Sequence, residues 1–148
     1  MPTLNDIPIA DATPSDRPHI LIWDTCDEEG LKDLRFRHGT YRAHYSQDLI
    51  TRHNAQSTSQ YLRLHKRLDR EIQALRDIVE TSPNSYIQLE GLDRLITYLA
   101  ITNSNDLDVF WQRLIDLNHL PKRLWIVLPS SLVPDHWPSE RLHRLENS

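Results

Sequence analysis

Three short runs rich in β-branched and aromatic residues most restrict what this chain can become: His19-Ile20-Leu21-Ile22-Trp23, Tyr86-Ile87-Gln88-Leu89 and Arg123-Leu124-Trp125-Ile126-Val127-Leu128. Each has the length of a strand rather than a helix, and an uninterrupted apolar run suits a strand covered on both faces. Between them lie segments whose apolar residues recur every three or four positions, as on a helix with one buried stripe. Strands that alternate with helices are joined by right-handed crossovers and build a parallel sheet. The pattern therefore predicts an α/β fold: a small three-layer domain with a mainly parallel sheet of three or four strands.

The first of the helical segments runs from Asp27 to Phe36, with Leu31, Leu34 and Phe36 as its apolar positions and Glu28 and Glu29 near its positive end. Thr40 to Tyr45 has the alternation of a further strand. Ser57-Thr58-Ser59-Gln60 reads as a capping box. A long helix follows it, carrying Tyr61, Leu64, Leu68, Ile72, Leu75 and Ile78 or Val79, until Pro83 and Asn84 stop it. Leu92, Leu95, Ile96 and Leu99 predict a helix directly after Gly91. Leu107, Phe110, Trp111, Leu114 and Leu117 predict another, ended by Pro121. A last helix is expected from Pro138 to Leu145, with Leu142 and Leu145 on the core. Residues 1–18 hold Pro2, Pro8, Pro14 and Pro18 with scattered acids, so they are expected to be a flexible arm preceding a single α/β domain of residues 19–148.

At 148 residues, 39% hydrophobic and 26% charged, the chain has material for one core and little more. No apolar run is long enough to cross a membrane, so no membrane partner is expected. The lone Cys26 has no disulfide partner, which points to a reducing cytoplasm, and its acidic neighbours disfavour a thiolate. The net charge of −4 conceals a split of −6, +6 and −4 over residues 1–31, 32–76 and 77–148. Either the middle third presents a basic surface, or acidic and basic segments meet on folding.

In an open parallel sheet, ligands bind beyond the carboxyl ends of the strands, where Asp24, Glu90 and Ser130 or Ser131 fall. Used as an active site, Asp24 and Glu90 would hold a divalent metal or activate water, and the serines would sense a phosphate. Used structurally, the acids cap helices and the serines turn the chain. The basic middle offers a different surface: Arg35, Arg37, Arg42, Arg52, Arg63, Lys66, Arg67 and Arg70 are interleaved with tyrosines and histidines, as on surfaces that bind nucleic acid. Trp137, flanked by His136 and Pro138, is expected to be partly exposed and to anchor a partner.

Leu89-Glu90-Gly91-Leu92-Asp93-Arg94-Leu95-Ile96, followed by a helix and then Leu124 to Pro129, resembles the second-acid strand and sensor strand of P-loop ATPases of the RecA and AAA type. It resembles more closely the small relatives of that fold that lack a phosphate loop and are attached to signalling proteins. The resemblance covers residues 64–146. It implies a P-loop-like or Rossmann-like topology, with Glu90 in the place of the magnesium-side acid and Ser130 in that of the polar sensor. The glycine-rich turn and its lysine have no counterpart after Trp23, because Gly30, Gly39 and Gly91 never form G-x-x-x-x-G-K-[ST].

The function expected on these grounds is a non-catalytic regulatory or adaptor module without a cofactor. It would act through protein contacts made by Arg63, Lys66, Arg67, Arg70 and Trp137. The alternatives are nucleic-acid binding by residues 35–70, and metal-dependent nucleotide or phosphoester hydrolysis by Asp24 and Glu90 with Ser130.

Overall fold

The structure is a computed structural model in which residues 7–49, 68–102 and 104–145 are described. Five strands, β1 (His19–Ile22), β2 (Tyr41–His44), β3 (Tyr86–Glu90), β4 (Arg123–Leu128) and β5 (Leu142–Arg144), form one sheet in the order β2-β3-β4-β1-β5. Every pairing is parallel, with Ile20 opposite Ile126, Leu89 opposite Ile126 and Arg42 opposite Gln88. The sheet is flanked by helices α1 (Glu28–His38), α2 (Leu68–Thr81), α3 (Asp93–Thr102) and α4 (Ser104–Asp116).

The handedness of the crossovers decides which face each helix covers. The chain moves across the sheet in one direction from β2 to β3 to β4, but in the opposite direction from β1 to β2. Right-handed connections therefore place α1 on one face and α2, α3 and α4 on the other. The side chains follow. Ile20, Ile22, Ile87, Leu89, Leu124, Ile126 and Leu128 are buried with Leu75, Val79, Leu95, Leu99, Phe110 and Leu114 of the three helices. Leu21, Trp23, Trp125 and Val127 turn to the other face, where Leu31 and Leu34 of α1 meet them. Period-two alternation on paired strands produces both layers, and each fully buried Leu or Ile contributes roughly 2 kcal/mol.

The α1 face needs a further cover, and the chain supplies it from its beginning. Ile7, Ile9 and Ala12 are buried against Leu21, Trp23, Trp125 and Val127. The Leu120 amide donates to the Asp16 carbonyl at 3.0 Å, and the Arg123 guanidinium donates to the Ala12 carbonyl. The expectation of a flexible arm up to Pro18 is thus corrected from residue 7 onward. Its prolines and acids signalled disorder, while the few apolar residues that dock are too sparse to form a pattern.

Three other expectations change. The sheet has five strands rather than three or four, because the predicted last helix is a 3₁₀ turn (Ser139–Arg141) leading into β5. Leu142 and Leu145 have helical spacing by coincidence, and three strand residues are too few to show alternation. Phe36, counted as an apolar position of α1, is 88% exposed. Trp137, expected to be partly exposed, is buried against Trp111, edge to face at a centroid distance of 6.0 Å. Its indole N–H donates to the Arg141 carbonyl at 3.0 Å, and the Arg141 guanidinium lies 5.0 Å above its ring. The capping box at residues 57–60 and the beginning of the long helix lie outside the described residues.

Candidate functional site

The connections from β1 and β4 leave on opposite faces of the sheet, and a cleft opens beyond the carboxyl ends of the strands. Its volume is about 460 Å³, and Trp23, Asp24, Glu28, Arg42, Glu90 and Asp93 are among the residues that line it. Asp24 and Glu90, singled out in the sequence, are brought to this one cleft. Ser130 sits at its rim against Asp24.

Each of these groups is already occupied. The Ser130 amide donates to Asp24 Oδ1 at 2.7 Å, and its hydroxyl lies 2.9 Å from both carboxylate oxygens. The backbone N–H first, and then the hydroxyl, hold the Asp24 carboxyl below the usual carboxylate range. Asp24 therefore ties the tip of β1 to the start of the turn after β4.

Glu90, 8% exposed, receives a fork from Arg42 on the neighbouring strand, with Nε to Oε2 at 2.6 Å and Nη2 to Oε1 at 2.7 Å. The same guanidinium donates to Glu28 of α1 through Nη1 at 2.7 Å and Nη2 at 3.1 Å. Hydrogen bonds from Arg42 lower the Glu28 carboxyl, and the two carboxylates raise the Arg42 guanidinium, with Glu90 acting most strongly. Behind them the Gln88 amide donates to Glu90 Oε2 and to the Leu31 carbonyl, and the Thr40 hydroxyl donates to Gln88 Oε1 at 2.8 Å. A carboxylate held in a bidentate fork is neither a free metal ligand nor a base.

The turn between β1 and α1, where a phosphate would be gripped, is filled by the protein itself. Asp27 is the N-cap of α1 and accepts from the Gly30 amide at 2.7 Å, with Glu28 and Glu29 beside it in the first turn. A phosphate brought to this helix end would meet carboxylates instead of bare amides. Gly30 is needed for packing, since a Cβ there would lie 2.6 Å from the Trp23 ring. Burial and then the nearby charges of Glu90 and Asp27 push the Cys26 thiol up to about 11, which removes it as a nucleophile near neutral pH.

Gly91, after β3, has φ +85°, and a Cβ on it would come within 2.7 Å of the His44 ring. The close approach of β2 to β3 at the cleft thus depends on this glycine. Among the described residues, no group of three or more His, Cys, Asp or Glu side chains is placed to hold a metal ion.

The proposed contact residues are scattered. Arg70 is half-buried on α2, Trp137 is enclosed as described above, and Arg63, Lys66 and Arg67 lie outside the described residues. Arg42 and Arg37, counted with the basic middle, are held by acids, Arg37 by Asp33 at 2.8 Å. The residues that sequence reasoning missed are Arg42 as the partner of Glu90, Glu28 as the second carboxylate on Arg42, and His44 as neighbour of Gly91. The alternation in Thr40 to Tyr45 put Arg42 and His44 on one face, but only the pairing of β2 with β3 shows what they touch. No helix among the described residues is long and apolar enough to cross a membrane. Comparison of the chain with known protein families, with curated proteins and with solved structures finds no match.

Proposed function

We propose that this α/β domain is a non-catalytic regulatory or adaptor module that acts through protein contacts and retains a P-loop-like framework without its phosphate machinery. One observation carries the reading: the carboxylate of Asp27 occupies the helix end that would have to bind a phosphate, 2.7 Å from the Gly30 amide. The fork of Arg42 on Glu90 supports it, because it neutralises the acid that would face magnesium. This reading places a first contact surface on α1. Phe36 stands 88% exposed beside Lys32 and Arg35, an apolar side chain that a partner could cover. Arg70, half-buried on α2, is the described member of the second contact set, with Arg63, Lys66 and Arg67.

The test is a thermal-shift titration with ATP and magnesium, run beside affinity capture from the native source. The module reading expects no rise in melting temperature and one stoichiometric protein partner, lost on Phe36→Asp. Release of inorganic phosphate that disappears in Glu90→Gln overturns it in favour of the hydrolase. Salt-sensitive nucleic-acid binding that disappears in Arg63→Glu/Arg67→Glu overturns it in favour of residues 35–70.

A further inference from the structure

Most acids at α1 are held within the protein, and two of its cations are left uncompensated. Asp27 accepts from the Gly30 amide at 2.7 Å, Glu28 accepts from Arg42 at 2.7 Å, and Asp33 accepts from Arg37 at 2.8 Å. Lys32 approaches Glu29 at 3.9 Å with both side chains largely in water, a contact of little strength. Arg35 has no acid partner among the described residues.

Leu31 and Leu34 turn the inner side of α1 to the sheet, so Glu29, Lys32, Asp33 and Phe36, spaced by three and four, form its outer ridge. Phe36 divides two grooves on that ridge. The first, of about 390 Å³, is lined by Lys32, Arg35, Phe36, Gly39, Thr40 and Asn84, and by no carboxylate of the described residues. Asp27, Glu29 and Asp33 line the second. Gly39 closes α1 with φ +65°, and a Cβ there would meet nothing within 4 Å, so the first groove is open down to the backbone. The Asn84 amide donates to the Gly39 carbonyl at 2.9 Å and holds the far wall in place.

We propose that the first groove receives an acidic segment of a partner protein, with one apolar side chain packed on Phe36 above Gly39 and neighbouring carboxylates paired with Lys32 and Arg35. The inference rests on the module reading above and names the chemistry of its partner. The aromatic ring supplies contact area, and the uncompensated cations select the charge of what covers it. Two other occupants fit less well. A nucleic acid would bring a continuous row of phosphates past Phe36 to the carboxylates of the second groove. A second copy of this chain, joined through the same groove about a twofold axis, would set Lys32 and Arg35 against their own kind.

The test is an amide NMR titration of the full chain with short synthetic peptides that carry a central leucine flanked by glutamates, by glutamines or by lysines. The glutamate peptide alone is expected to shift Lys32, Arg35, Phe36 and Gly39, and its affinity should fall as salt rises. Lys32→Glu/Arg35→Glu and Phe36→Ser should each weaken it by about tenfold or more with thermal unfolding unchanged, since all three side chains are exposed. If charge reversal disturbs α1, Lys32→Gln/Arg35→Gln should show the loss without it. Equal binding of the glutamate and glutamine peptides, no shift with any of the three, shifts confined to other residues, tighter binding of single-stranded DNA in this groove, or dimerisation that Phe36→Ser abolishes each overturn the proposal. A captured partner that is lost on Phe36→Asp but kept by Lys32→Glu/Arg35→Glu overturns the acidic segment and leaves the module reading standing, whereas release of phosphate from ATP overturns that reading itself.

Discussion

Arg42 grips both oxygens of Glu90 from the adjacent strand, with Nε at 2.6 Å and Nη2 at 2.7 Å, and so converts the acid at the tip of β3 into a structural tie. The pair is nearly enclosed, with side-chain exposures of 21% and 10%, and Glu28 extends it to α1. One guanidinium thereby links the edge strand, its neighbour and the helix above them.

Removal of that guanidinium leaves a buried carboxylate without its counter-charge. Arg42→Met should lower stability by about 2 kcal/mol, measured by urea unfolding. Glu90→Gln should cost less, because an amide oxygen still accepts from Arg42. Equal costs for the two variants would show that charge pairing is not what holds β2 to β3.

Gly91→Ala is expected to destabilise by about 2 kcal/mol, since it combines a left-handed φ of +85° with a Cβ 2.7 Å from the His44 ring. The steric part should vanish in His44→Ala/Gly91→Ala, while the backbone strain should persist. A double-mutant cycle read by thermal unfolding separates them, and the steric account requires a coupling well above zero.

The Asp24 carboxyl is lowered by the Ser130 amide and hydroxyl, so its contribution to stability is complete above the ordinary carboxylate pKa and is lost as pH falls through its folded value. In Ser130→Ala the hydroxyl is absent, and the Asp24 titration, followed by carboxyl NMR shifts, should move upward toward the ordinary range. The amide bond should keep it from returning fully. No movement would mean that the hydroxyl contributes nothing at the cleft rim.

Phe36 is so exposed that Phe36→Ser should change folding stability by less than about 0.5 kcal/mol. Recovery of a protein partner should nevertheless fall at least tenfold. If capture is unchanged while stability is retained, the contact surface lies elsewhere.

Much of the architecture was legible because local physics wrote it twice, in periodicity and in punctuation. The apolar runs at 19–23, 86–89 and 123–128 became β1, β3 and β4, and Asp27 and Gly39 bracket α1 with an N-cap and a left-handed C-cap. Asp24 and Glu90 could also be placed at strand ends from sequence alone. What they do there could not. Glu90 is separated by 48 residues from the arginine that claims it, and Ser130 by 106 residues from Asp24.

The chain's own sequence thus determined the segments of β1 to β4 and of the helices between them, a mainly parallel sheet, and the lack of a G-x-x-x-x-G-K-[ST] turn after β1. Tertiary structure alone decided the strand order, the fifth strand, the burial of Trp137 and of Ile7, Ile9 and Ala12, and the pairing of Arg42 with Glu28 and Glu90 and of Asp24 with Ser130 at the cleft. The division has one physical cause. Periodicity and capping act within a few residues and leave their pattern in sequence, whereas edge pairing, ion pairs and the covering of a sheet face depend on which distant segments arrive side by side, and a three-residue strand or a proline-rich segment is too short or too irregular to announce its destination.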